Sequence, residues 1–201
     1  MIAALILAGG RGTRFGGADK AFLPLDGRPL LAHLLERLAP QVRTIAISAN
    51  GDAARFSPYG APVLPDAPEH ADAGPLAGLA AGLAWAASIG AATLATIPVD
   101  TPFIPPDLIA RLVPGPSVAV NAGRQHHLVA LWPTSFAAAL TQFIATPGDH
   151  RVRDALALAA ARPVIFDGEP DPFMNINTPG ELEEAKASAA FLKKRSKKPL
   201  S

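Results

Sequence analysis

The chain has 201 residues and a mass of 20.7 kDa, with 49% hydrophobic and 17% charged residues, a balance that excludes wholesale disorder and fits one domain or at most two. Its formal charge of +1 conceals a basic end: Lys193, Lys194, Arg195, Lys197 and Lys198 crowd the last nine positions, leaving −4 for residues 1–192 once those five charges are taken away, and a mildly acidic body argues against nucleic acid as partner. The lack of cysteine excludes disulfides, thiolate metal sites and cysteine nucleophiles, no apolar run approaches the ~20 residues of a membrane span, and Met1 to Ala8 lacks the basic start of a secretory signal, so the expected compartment is the cytoplasm.

In chain order, Ile2 to Leu7, Val42 to Ser48, Pro62 to Leu64 and Thr93 to Val99 are short aliphatic and β-branched runs that read as buried strands. Between them, Pro29 to Leu38 and Pro75 to Ile89 carry helical spacing of leucines, each with a proline at the first turn, where its missing N–H costs nothing. A third helix is predicted from Pro106 to Leu112. The second half adds strands at Ser117 to Asn121, Leu128 to Trp132 and Pro163 to Phe166, and helices at Phe136 to Ile144 and Val152 to Ala160. A closing helix fits Pro179 to Leu192, with Thr178 as N-cap and Glu181 completing a capping box. Strands alternating with helices predict an α/β domain with a parallel sheet covered on both faces, and no repeat or long linker divides it. Residues 193–201 read as a solvated, frayed basic tail.

Ligands of open parallel sheets bind beyond the carboxyl ends of the strands. There the first predicted strand runs into Gly9, Gly10 and Gly12, the second ends at Ser48 and Asn50, the third at Asp66 and the fourth at Asp100. Glycine backbone, an amide and two carboxylates thus converge on one edge. The stretch from Gly9 to Lys20 holds five glycines, two arginines and a lysine. Glycine lets backbone N–H groups approach an anion, and Arg14 and Lys20 can neutralise phosphate. It is a polyphosphate loop, but no Gly-Lys-Ser/Thr follows, and Phe15 breaks the dinucleotide fingerprint.

Asp100, held at the tip of a buried strand, suits a single carboxylate ligand for Mg²⁺ whose other ligands are water and phosphate; a turn or N-cap at the Asp-Thr-Pro bend is the alternative. Asn175 and Asn177 would present both amides to one side of an extended chain, or else form a turn. His126 and His127 stand beside Arg124 near a strand start, where neighbours face opposite sides, which disfavours zinc and leaves surface or substrate contact. No Gly-x-Ser-x-Gly elbow supports acyl transfer.

Together LILAGGRGTRFGGADK from Leu5, GRPLL from Gly27, SAN ending at Asn50, Asp66, GPLAGL from Gly74, IPVDTPFIPPDL from Ile97 and NINTPGEL from Asn175 resemble the molybdenum cofactor guanylyltransferases, among the Rossmann-like nucleotidyltransferases. The matching segments run in order from Leu5 to Leu182, with Phe15 where methionine is common. The resemblance implies a three-layer α/β/α fold with a mostly parallel sheet, as one nucleotidyltransferase domain over residues 1–192. It also implies transfer of GMP from GTP to the terminal phosphate of molybdopterin in its molybdenum-bound form, with release of pyrophosphate.

On that resemblance Leu7, Ala8, Gly9 and Gly10 would line the nucleotide, Arg14 and Lys20 would meet phosphates, Asn50 and Asp66 would contact the guanine nucleoside, and Asp100 would hold Mg²⁺. Asn175 and Asn177, with Arg124 and His126, would face the pterin substrate. A receiving molybdoenzyme or cofactor chaperone is a further expected partner. Two alternatives stay open: the cytidylyltransferase branch using CTP, which usually shows Leu-Ala-Ala-Gly where this chain has Leu7-Ala8-Gly9-Gly10, and a nucleotide-binding adaptor without chemistry.

Overall fold

A computed structural model describes residues 1–9, 19–178 and 180–186. Gly10, Arg14, Pro179, residues 187–192 of the predicted closing helix and the basic tail lie outside the described residues.

The aliphatic runs become strands β1 (Ile2–Leu7), β4 (Thr44–Ser48), β5 (Val63–Leu64) and β6 (Thr93–Pro98), with the small hairpin β2 (Pro24–Leu25) and β3 (Arg28–Pro29) between the first two. Helix α1 (Leu30–Leu38) links β3 to β4, and α2 (Pro75–Ser88) links β5 to β6. After these come α3 (Leu108–Leu112), β7 (Ser117–Asn121), β8 (Arg124–Pro133), α4 (Ala137–Ala145), α5 (Val152–Leu158) and β9 (Arg162–Phe166). The third helix starts two residues later than the sequence suggested, since the turn is closed by Leu108 N–H donating to Pro105 O.

One sheet has the order β5-β4-β1-β6-β8-β7-β9. The pairs β4/β5, β1/β4, β1/β6 and β7/β9 are parallel, while β8 runs antiparallel to both neighbours. The predicted mostly parallel, Rossmann-like architecture is therefore observed. The chain steps outward from β1 to β4 and β5 and then returns to β6 on the other side. This reversal opens a crevice above the carboxyl ends of β1 and β6, the position where such sheets bind ligands.

Alternation along β1 serves two cores. Ala4 and Ile6 face leucines of α1 and α3, whereas Ala3, Leu5 and Leu7 face α2 and, further along, α4 and α5. Burying a leucine of this kind contributes roughly 2 kcal/mol, so the two layers hold the strand ends firmly. Helix α2 lies unusually close to the sheet. A Cβ on Gly82 would stand 2.5 Å from Leu5 Cδ2, and one on Gly78 would stand 2.4 Å from Ser48 Oγ, so any larger residue would force those side chains to shift.

A smaller apolar cluster joins Leu23, Leu25 and Leu30 of the hairpin region to Phe103, Ile176 and Ala185. It fastens the segment 171–177 and a helix over 180–186 onto the sheet's rim. The predicted N-cap is present, with Glu181 N–H donating to Thr178 Oγ1 at 3.2 Å. The predicted capping box is displaced by one residue, because the Glu181 carboxylate accepts from Asn177 N–H at 2.7 Å.

Candidate functional site

Above the carboxyl ends of β1, β4, β5 and β6 lies a cavity of about 470 Å³. Backbone hydrogen bonds continue just past the strands, Val99 N–H donating to Leu7 O at 3.0 Å and Ala8 N–H to Ser48 O at 2.9 Å, so the residues that follow leave from fixed positions. Leu7, Ala8 and Gly9 line the cavity floor, as expected for a backbone platform.

At one end stands Asp100, two residues beyond β6. Its Oδ2 accepts from Lys20 Nζ at 2.9 Å, and Lys20 Nζ also donates to Asn177 Oδ1. Three residues far apart in sequence thus meet at one ammonium. Lys20 begins a single 3₁₀ turn, Lys20–Phe22, capped by Asp19, whose Oδ1 accepts from Ala21 N–H at 3.0 Å. The second oxygen of Asp100, Oδ1, is buried and has no hydrogen-bond partner among the described residues. A desolvated carboxylate oxygen without a donor is costly unless something positive completes it, and a hard divalent cation does so. Of the alternatives for Asp100, the turn is present, closed by Thr101 N–H donating to Pro98 O at 3.2 Å, whereas the helix cap is not found. The Asp100 backbone carbonyl accepts from Ile176 N–H, and α3 begins only at Leu108.

The segment 175–177 behaves as the extended reading predicted. Ile176 is fully buried, while Asn175 and Asn177 turn the other way, the first lining the cavity and the second reaching Lys20. At the opposite end, Asn50 and Asp66 form a reciprocal pair: Asn50 Nδ2 donates to Asp66 Oδ2 at 2.7 Å, and Asp66 N–H donates to Asn50 Oδ1 at 2.9 Å. The pair fixes the direction of an accessible carboxylate, which can accept from donor edges of a bound ring.

The third wall comes from β8, and here the sequence reading needs correction. The strand begins at Arg124, four residues before the predicted start, because the polar run Arg-Gln-His-His carries no apolar alternation. Its register against β7 shifts between Val118 and Ala119, which pair with Ala130 and His126. His126 and His127 both line the cavity, beside this irregularity.

His126 is not a surface residue. It is 7% exposed, its ring lies 4.9 Å from that of Phe173, and its Nε2 is 3.6 Å from Asp171 Oδ2, too long for a hydrogen bond. Burial pushes its pKa below the ordinary histidine value, partly opposed by the Asp171 charge, with Arg124 and His127 reinforcing the decrease.

Of the other cavity residues, Gly78 was read only within the segment GPLAGL, and Gln125 carried no chemical signal in the sequence. Gly78 could have been noticed as a glycine one helical turn after Gly74, on a face that must approach the sheet. Among the described residues no group of three or more His, Cys, Asp or Glu side chains could hold a metal ion. None of their helices is long and apolar enough to cross a membrane.

A family profile described as a MobA-like NTP transferase domain matches residues 4–163. A protein of Acidiphilium cryptum named molybdenum cofactor guanylyltransferase is 52% identical over 184 residues, covering 92% of this chain and 93% of that protein. One of the same name from Rhodobacter capsulatus is 49% identical, covering 92% and 94%. Among solved structures, molybdopterin-guanine dinucleotide biosynthesis protein A of Archaeoglobus fulgidus superposes with a TM-score of 0.71 at 24% identity, over 95% of this chain and all of that one.

Proposed function

The chain belongs to the MobA-like NTP transferase family and, within it, to the molybdenum cofactor guanylyltransferases, and we propose that the cavity above β1 and β6 is where it transfers GMP from GTP to a molybdopterin. The observation that carries this reading is the meeting of Lys20, Asp100 and Asn177 beside a buried carboxylate oxygen with no partner among the described residues, at one end of a cavity whose other end holds the Asn50–Asp66 pair.

The distribution of groups supports a direction for the nucleotide. The Asn50–Asp66 end offers acceptors to the N–H edge of guanine, and Leu7 to Gly9 offer a platform between. The Lys20–Asp100 end takes the phosphates. The nucleophile is the terminal phosphate of the pterin substrate. It attacks the α-phosphorus of GTP, a new P–O bond forms as the bond to the β-phosphate bridge breaks, and pyrophosphate leaves. The protein supplies no nucleophile, and its contribution is alignment and charge neutralisation. Lys20 can exchange its present partners for phosphate oxygens, which keeps its ammonium neutralised throughout.

Asp100 would hold Mg²⁺, and when bound the ion would supply charge neutralisation for the triphosphate and for the departing pyrophosphate. Asn175, Asn177, Arg124 and His126 are assigned to the side that receives the pterin. Arg14 is assigned to the phosphates with Lys20, and Gly10 to the nucleotide. Residues 1–192 are read as one nucleotidyltransferase domain, working in the cytoplasm and passing its product to a molybdoenzyme or cofactor chaperone.

The test is to incubate the protein with GTP labelled at the α-phosphate, Mg²⁺ and molybdopterin, with CTP in parallel. Label on a pterin dinucleotide with stoichiometric pyrophosphate from GTP, and far less from CTP, is the expected result. Turnover with CTP alone moves the assignment to the cytidylyl branch, and release with neither nucleotide overturns it.

A further inference from the structure

We propose that Arg55 is a positioning residue for Lys20, acting through Asp19; this rests on the reading that Lys20 meets the triphosphate. Arg55 lies in the 3₁₀ turn Ala53–Tyr59 after β4, 36 residues beyond Asp19. Its Nη1 donates to Asp19 Oδ2 at 2.9 Å, and its Nε donates to Asp52 O at 3.0 Å. The guanidinium carbon sits 5.6 Å from the centre of the Phe22 ring and 5.3 Å from that of Phe56, and those rings are 5.2 Å apart.

Asp19 is therefore gripped at both oxygens. Oδ1 caps the turn that begins with Lys20, and Oδ2 is tied to a different part of the fold. Phe22, at the far end of the same turn, is held by the same arginine. The short turn carrying Lys20 cannot rotate without breaking the ion pair or moving Phe22 off the guanidinium. Only arginine combines a permanent charge, a planar fork and a face that stacks on rings.

The pair also neutralises a carboxylate adjacent to a lysine whose task is to attract a polyanion. Its side chains are 37% and 21% exposed, and ion pairs this open add little to stability. The benefit of Arg55 is accordingly in placement and local charge.

The experiment measures GTP binding at equilibrium, steady-state kinetics and melting temperature for the full chain and for Arg55→Met, Arg55→Lys, Lys20→Ala and the Arg55→Met/Lys20→Ala double variant. Methionine keeps an apolar stem against Phe22 and Phe56 and removes only the charge and the fork. Arg55→Met should weaken GTP about fivefold and lower kcat/KM about tenfold, the scale of a misplaced binding group, with little change in melting temperature. Arg55→Lys should recover part of the loss.

In the Lys20→Ala background, Arg55→Met should cost nothing further, because groups acting as one unit are non-additive. Wild-type GTP binding and turnover in Arg55→Met, or the same fold loss in both backgrounds, would overturn the proposal. Unchanged behaviour in Lys20→Ala would instead overturn the phosphate role of Lys20, and the Arg55 proposal with it. The two failures are told apart by whether Lys20→Ala is itself impaired. Should Arg55→Met not fold, Asp19→Asn, which keeps the cap on Ala21, makes the same comparison from the other partner.

Discussion

The parallel half of the sheet, β5-β4-β1-β6, and the remaining half, β8-β7-β9, build the same cavity by different means. In the parallel half each strand delivers one polar residue or a short glycine run just past its end, on backbone fastened between two apolar layers. In the other half a continuous polar stretch from Arg124, a shift of register and the rim segment 171–177 supply the wall. The first arrangement fixes single groups within narrow limits, as charge neutralisation requires. The second offers a broader, mixed surface suited to holding a second substrate.

If the halves divide labour in this way, variants in each should fail differently. The largest effect is expected at Asp100. Asp100→Ala should lower kcat by at least ~10²-fold, as for loss of a preorganised electrostatic group, while the melting temperature changes little. Near-normal turnover would remove Asp100 from the chemistry. Next comes Asn50→Ala, which releases Asp66 from its reciprocal hydrogen bonds and should raise KM for GTP about tenfold with kcat nearly unchanged, since a hydrogen bond to a charged group is worth about 1.5–3 kcal/mol. A fall in kcat with constant KM would contradict its placement at the base end.

The smallest effect is expected in the other half and concerns pH. Burial lowers the pKa of His126 in the folded chain, so at acid pH the unfolded chain binds the proton more readily. The stability that neutral His126 maintains is complete above the ordinary histidine value near 6.5 and is lost as pH falls from there toward the depressed folded value. His126→Gln should therefore narrow the gap in melting temperature between pH 8 and pH 5.5. An unchanged gap would show that His126 does not govern the acid response of this wall.

Local pattern was enough wherever one strand ended and one residue followed. Asn50, Asp66 and Asp100 could be named because a buried aliphatic run has a visible end, and the carboxyl ends of parallel strands share one edge. Asn175 and Asn177 could be paired because alternation in an extended segment has a fixed period, and the structure agrees, with Ile176 buried between them. The glycine-rich loop could be read as chemistry, although Gly10 and Arg14 lie outside the described residues.

The β8 wall was not legible in the same way. A strand whose side chains line a polar cavity loses the hydrophobic alternation that identifies strands, so its start was placed four residues late, at Leu128. The shift of register beside His126 depends on what β7 and β8 find when they pair, and no single segment encodes it. The burial of His126 depends on Phe173 and Asp171, more than forty residues away, and the grip of Arg55 on Asp19 joins two turns that have no relation in sequence.

The amino-acid sequence by itself thus determined the alternation of strands with helices, the parallel run of the sheet's first four strands and the residues at their ends, because periodicity and strand termini are local properties. Only the tertiary structure decided which of those residues touch, that Lys20 stands between Asp100 and Asn177, and that one oxygen of Asp100 is left buried without a donor among the described residues. Contact and desolvation are set by the packing of segments distant along the chain, and no local window of residues contains them.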